Sequence, residues 1–322
     1  KKNTPEHHFR RGLHIFVLGY ILNICRFLIP YSIGYAITGD YAVYMEPLLY
    51  KVLCNDILTF AGLAMMLIAL FMKIKLSGGM MLIITTIMCA LGTVFNGVDV
   101  QNPLGNIFLG YLIGTEDAAG LVLSDFPLFN WMIFPTFGYA FAAVLKRVKD
   151  KKLFYLTVSL PAIIIAIVYF SYGITHEVGM FGEGQNCYYH MIFTDVLASL
   201  TLTVGMAGVN YLILQIIPHK VFYIAWTISE NITAVYFTHW VLVSLIVNVL
   251  IYIVRGTTEL APGIVMILGS AISIVSIIIG YYWNKCVNRR RVNAKTTQIT
   301  NYGVDELYPA CCSADHCYQF CG

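Results

Sequence analysis

Residues 231–254 and 262–283 each run for more than twenty positions without a single Asp, Glu, Lys or Arg, and residues 152–172 carry only Lys152 at their start. About twenty apolar residues are what a helix needs to cross a hydrocarbon core about 30 Å thick. A helix satisfies its own backbone hydrogen bonds in lipid, whereas an open sheet leaves its edges unpaired. A transmembrane barrel would need short segments of alternating polarity, and these runs are too long and too continuously apolar for that. Composition agrees: 58% of the 322 residues are hydrophobic, 11% are charged and the mean hydropathy is +0.73. Soluble domains carry about 25% charged residues. The expected fold is therefore an all-α integral membrane protein, a polytopic helical bundle of about eight transmembrane helices in contact with a lipid bilayer.

The spans are expected at 12–37, 49–72, 78–96, 127–145, 152–173, 189–217, 231–254 and 262–284. Basic clusters alternate with acidic or neutral loops between them. His7–Arg11, Lys73–Lys75, Lys146–Lys152, Pro218–Lys220 and Lys285–Arg291 mark one side, while loops near Asp40–Glu46, Asp99–Asp125, Thr175–Asn186 and Thr257–Glu259 mark the other. Cytoplasmic loops are the ones enriched in Lys and Arg, so both ends of this chain are expected in the cytoplasm, with the protein in the inner cell membrane. The run Ile107–Ile113 is too short to span and reads as a re-entrant or interfacial segment, and residues 221–230 as a segment along the inner surface. Residues 1–291 form the membrane domain and 292–322 a polar tail. That tail holds Cys311, Cys312, Cys317 and Cys321, a density that suits a disulfide staple or a metal clip, although disulfides are disfavoured in the cytoplasm. The net charge of +3 is spread over short loop clusters, which points away from nucleic acid. The spans hold no metal-spaced His/Cys cluster, HExxH or Walker-type glycine loop, so no metal is expected.

Three stretches carry a resemblance. Asn55-Asp56-Ile57-Leu58-Thr59-Phe60-Ala61-Gly62-Leu63 opens the second span; Phe126-Pro127-Leu128-Phe129-Asn130-Trp131, followed by Phe137-Gly138-Tyr139, leads through the fourth; Ser229-Glu230-Asn231 and Tyr236-Phe237-Thr238-His239-Trp240 open the seventh. Together they resemble the transmembrane acyltransferases, the bacterial relatives of heparan-α-glucosaminide N-acetyltransferase and more loosely the acyltransferase-3 family, over about residues 9–285. The resemblance implies transfer of an acyl group, acetyl first of all, from cytoplasmic acyl-CoA (acetyl-CoA) to a sugar or cell-envelope acceptor across the membrane. It also implies ten or eleven helices, with two ahead of Phe9-Arg10-Arg11-Gly12-Leu13-His14. Those two helices and the family's catalytic histidine are expected to be missing from this sequence, cleaved off, or carried on a separate N-terminal two-helix fragment; a homo-oligomer is the other partner expected. The family's Arg-x-x-Arg motif has His14 in place of its second arginine.

Ionisable groups within spans are costly and usually functional. Asp56 reads as a general base for an acceptor hydroxyl or amine, or as an ion partner for Lys51 or Arg26. His239 reads as a proton acceptor during acyl transfer, or as a packed neutral imidazole. His190, with Asp195 five residues on, stands at the acceptor mouth. Asn23 and Arg26, three apart on one helical face, line a polar tunnel or make an interhelical hydrogen bond. Arg10, Arg11, His14, Lys146 and Arg147 form the donor side, where Arg offers planar bidentate donors to the phosphates of CoA; the positive-inside pattern demands basic residues there in any case. A multi-pass transporter or flippase would show similar intramembrane charges, and an inactive partner subunit would keep the same scaffold.

Overall fold

The computed structural model describes residues 4–114, 125–182, 188–217, 225–226 and 228–301. It is all-helical, and six of its helices are long and apolar enough to cross a membrane. The first is continuous over Pro5–Thr38. It comprises α1 (Pro5–Asn23), a π-helical turn at Ile24–Leu28 and α2 (Ile29–Thr38). Thr4 caps it, accepting from the His7 N–H, and Pro5 follows the cap, where the missing N–H costs nothing. At its other end Gly39 takes φ 70, the left-handed conformation that glycine adopts without steric cost.

Two short helices follow, α3 (Tyr41–Tyr44) and α4 (Leu48–Leu53), then α5 (Ile57–Lys73) and α6 (Gly78–Val94). At 17 residues each, α5 and α6 are about 26 Å long, the lower limit for a crossing. The second span thus differs from its expected 49–72. The chain leaves the helix at Cys54–Asp56, and Asp56 sits at the N-cap of α5 rather than two turns inside it. Asp56 makes no side-chain bond to the helix it opens; its carboxylate pairs with Arg26 instead.

Helix α7 (Pro103–Ile113) is short, as the run at 107–113 implied, and is capped by Asn102. The fourth crossing is α8 (Leu128–Trp131) with α9 (Ile133–Leu145); α10 (Lys151–His176) and α11 (Phe193–Leu214) follow. The seventh crossing is α12 (Ile232–Val243), a second π-helical stretch at Ser244–Ile251, and α13 (Tyr252–Arg255). The last helix, α14, covers Pro262–Asn301. The expected surface segment at 221–230 is described only in part. Cys187 and residues 302–322, with the clustered cysteines, lie outside the described residues.

Glycines show which helices touch. A Cβ on Gly62 would sit 2.6 Å from the Phe16 nitrogen and 2.7 Å from the Gly12 oxygen, and one on Gly19 would sit 2.8 Å from the Thr59 nitrogen. Helices α1 and α5 therefore run antiparallel with their backbones in contact, the small-residue packing typical of membranes. Gly78 lies against Tyr139 and Gly92 against Asn130, so α6 runs antiparallel to the α8–α9 crossing; Gly205 lies against Ile163 and Gly208 against Tyr155, so α10 and α11 are antiparallel too. One end of this bundle consequently gathers Arg10, Arg11, Lys73, Lys75, Lys146 and Lys152. The other gathers the starts of α5, α8 and α11. Leu160, Ile164, Ile165, Ile167 and Val168 on α10 are all more than half exposed. Such a surface is a liability in water and the expected one in lipid.

Two compact units emerge, one of Lys1–Phe222 with Trp240–Glu259, the other of Tyr223–His239 with Leu260–Gly322. In the second unit, Gly280 of α14 lies against Val235 of α12.

Candidate functional site

The break at Cys54–Asp56 leaves backbone between two helices, and the carbonyls around it are taken one by one. Asn23 Nδ2 donates to the Val52 and Cys54 oxygens at 3.1 and 2.9 Å, and the Tyr111 hydroxyl donates to Leu53 O at 2.7 Å. The Phe126 N–H donates to Asn55 O at 3.2 Å, and Asn55 Nδ2 returns a bond to Phe126 O at 2.7 Å. Tyr111 also bonds to Tyr20 on α1. At membrane depth, non-helical backbone persists only where protein groups satisfy it, and broken helices commonly build ligand sites.

The ionisable groups converge on this break. Arg26 Nη1 lies 3.2 Å from Asp56 Oδ2, and both side chains are 5% exposed. Arg26 stands in the π-helical turn of the first crossing, a feature frequent at functional sites. Its guanidinium lies 4.4 Å from the ring centre of Phe27 and 5.0 Å from that of Trp240, two cation–π contacts. Ser244, opening the second π-helical stretch, donates its hydroxyl to the Arg26 carbonyl.

A second carboxylate completes the cluster. Asp125, just ahead of α8, is pushed above the ordinary carboxylate range, first by burial and then by neighbouring Asp56; Arg26, Lys51 and the bonded Cys54 thiol pull the other way. Arg26 is thus paired with one carboxylate and within electrostatic reach of a second. The Tyr189 phenol, also pushed up by burial and by Asp125, closes the group, and its ring packs edge-on to Phe126. Two polar atoms of buried side chains in this cluster, Asn23 Oδ1 and Arg26 Nε, find no partner among the described residues.

Of the expected site residues, Asp56 lies in this cluster as the ion partner of Arg26. His190 is buried in the turn ahead of α11. Its imidazole and Asn96 Oδ1 both face Gly114, where a Cβ would meet each at 3.2 Å. Asp195 lies in the first turn of α11, accepting from the Tyr169 hydroxyl at 2.9 Å and the Ile192 N–H at 3.2 Å. His239 is half-buried on α12 and belongs to the second unit. Arg10, Arg11 and His14 are exposed on α1, and Lys146 and Arg147 are exposed just past α9. These five stand at the basic end, with Arg10 about 24 Å along the helix from Arg26. Sequence reasoning missed Asp125 and Cys54. The available signal for Asp125 was its place directly before the Phe126-Pro127 motif; Cys54 offered only its neighbours Asn55 and Asp56.

Among the described residues, no group of His, Cys, Asp and Glu could hold a metal ion. Comparisons with protein-family models, curated proteins and solved structures gave no match to this chain.

Proposed function

We propose that the chain is a membrane-bound acyltransferase that moves an acyl group, acetyl first of all, from cytoplasmic acyl-CoA to a glycan or other envelope acceptor on the far side. The observation that carries this reading is the pairing of Asp125 with the buried Arg26–Asp56 ion pair at the broken helix. A carboxylate near a fixed guanidinium, with its proton affinity raised by burial, is suited to take the proton of an acceptor hydroxyl or amine. Arg26 then stabilises the negative charge that develops on the acyl carbonyl. Arg10, Arg11, His14, Lys146 and Arg147 would hold the CoA phosphates at the basic end, and His190 would stand at the acceptor mouth.

Calorimetry with acetyl-CoA on the purified chain tests the donor half. Saturable binding that weakens at least tenfold in the Arg10→Ala/Arg11→Ala variant is the expected result. A folded chain that binds no acetyl-CoA overturns the reading. One observation favours a second class, a proton-coupled transporter: two carboxylates sharing one arginine beside a broken helix is also what coupled transport uses. That class predicts proton-driven solute uptake into liposomes and no acetyl-CoA binding.

A further inference from the structure

His190 is pinned from both sides. Asn130 Nδ2 donates to Met191 O and Trp131 Nε1–H donates to Tyr189 O, each at 2.8 Å. Consecutive residues of α8 thus hold the two carbonyls that flank His190, which gives the Asn130-Trp131 pair of the 126–131 motif its work. The buried imidazole is set against Gly114. The turn after α6 is tied to the same glycine, since the Gly97 N–H donates to Gly114 O at 3.0 Å.

Gly114 takes φ 75, where a side chain would be strained. A Cβ there would meet Asn96 Oδ1 at 3.2 Å and His190 Nε2 at 3.2 Å. With glycine in place that position is open, and one oxygen close to it comes within hydrogen-bond reach of both groups. Glycine is the residue used where backbone must approach a ligand closely. Asn96 is itself part-exposed, so this point reaches the surface at the end of the bundle opposite the basic residues.

Two acceptors here are orphaned. Asn96 Oδ1 and Asn130 Oδ1 are buried and have no partner among the described residues. Asn130 Oδ1 lies against Gly92, one helical turn before Asn96. Buried polar atoms are paired in about nine cases of ten, and an orphaned acceptor calls for a donor. Both atoms are uncharged carboxamide oxygens, so the complement is a neutral O–H group; an ammonium ion would lose its hydration without gaining a counter-charge. The carboxylate nearest in this loop, Asp99, is already engaged by Asn106 Nδ2 at 2.6 Å and by the Gln101 N–H at 2.7 Å.

Resting on the acyltransferase reading, we propose that Asn96 and His190 form the subsite that holds a neutral sugar hydroxyl of the acceptor. Asn96 Oδ1 accepts from that hydroxyl, and His190 Nε2 bonds its oxygen. The subsite selects an uncharged sugar over an amino sugar carrying an ammonium group.

The test is saturation-transfer NMR on the full chain in a sugar-free detergent, with methyl β-glucopyranoside and glucosamine as probes and no acyl donor. The glucoside is expected to bind the wild type more tightly than glucosamine does. Asn96→Leu should weaken the glucoside about three- to tenfold, the loss of one hydrogen bond. Asn96→Asp keeps an acceptor oxygen and adds a charge, so preference should turn to glucosamine. His190→Gln, whose amide nitrogen can stand in for Nε2, should keep more of the binding than His190→Leu. Thermal unfolding of each variant checks that the fold persists. A wild type that prefers glucosamine, or a folded Asn96→Leu variant that binds the glucoside as the wild type does, overturns the subsite. Equal binding by the two His190 variants overturns the part given to the imidazole. Glucoside binding by a chain that binds no acetyl-CoA upholds the subsite and removes the transferase reading. A folded chain that binds acetyl-CoA and neither sugar overturns the subsite and leaves that reading standing.

Discussion

Replacing Asp56 by Asn leaves Arg26 buried with its main partner neutralised, and the structure sets what that should cost. At 3.2 Å the gross attraction is about 5 kcal/mol for an effective dielectric of 20. Most of it offsets the several kcal/mol needed to desolvate each ion, so removing one partner of a buried pair usually costs about 3–5 kcal/mol. Arg26 has a reserve, however: Asp125 lies close enough to interact with it, and two aromatic faces remain in place. Asp56→Asn alone should therefore cost only about 1–2 kcal/mol, the loss being limited by Asp125. Asp125→Asn alone should be neutral or slightly stabilising, since burial already disfavours its ionised form. The double variant strands the guanidinium and should cost the full 3–5 kcal/mol or so. The sum of the single effects would then fall short of the double by about 2 kcal/mol, well outside the few tenths expected of independent sites. Reversible unfolding in mixed micelles, followed by far-ultraviolet circular dichroism, reads all four free energies. Additive effects, or the whole cost appearing in Asp56→Asn alone, would refute Asp125 as a second partner of Arg26.

Gly62→Ala should destabilise by about 1–3 kcal/mol, because its Cβ meets the backbone of Phe16 and Gly12 and backbone cannot yield as a flexible side chain does. Gly269→Ala, with nothing within 4 Å, should instead gain up to about 1 kcal/mol from helix propensity; the same unfolding assay compares the two. The folded Asp125 carboxyl titrates above its unfolded value, so its contribution is full below about pH 3.9 and is lost as pH rises through the folded value. The groups facing it are Asp56, Arg26, Lys51, Cys54 and Tyr189. Measured from pH 4 to 8, the stability of Asp125→Asn relative to the wild type should rise with pH; a flat difference would remove the raised carboxyl.

Helical class and the order of the spans were legible because a bilayer imposes one length and one polarity on every crossing, and residues 152–172 or 262–283 display both without reference to a partner. The pairing of Arg26 with Asp56 was legible as one of two options, since two opposite charges placed in apolar runs have few other places to go. The helix break was not. Asn55-Asp56 is a sound start signal for a helix, but Leu48–Leu53 ahead of it is also apolar and helical, so hydropathy reads straight through. Asp125 was hidden for a different reason: the groups that act on its carboxyl, Cys54 and Asp56, lie some seventy positions away in the sequence, and no local period records that.

The donors that close the break explain why polar residues sit where lipid-facing ones would serve a plain crossing. Asn23 lies inside the first crossing and Tyr111 in a helix too short to span, and each answers a carbonyl left open in 52–54. Without them the chain would have to continue as a helix through Asp56, which would bring the carboxylate off the N-cap and away from its place beside Arg26 and Asp125. The irregular segment and the charges are thus one device: the clamps let the helix stop, and stopping it is what leaves Asp56 beside Arg26 with Asp125 in electrostatic reach. A variant that tests chemistry here must therefore leave the clamps intact, which is why Asp125→Asn is informative and Asn23→Leu is not.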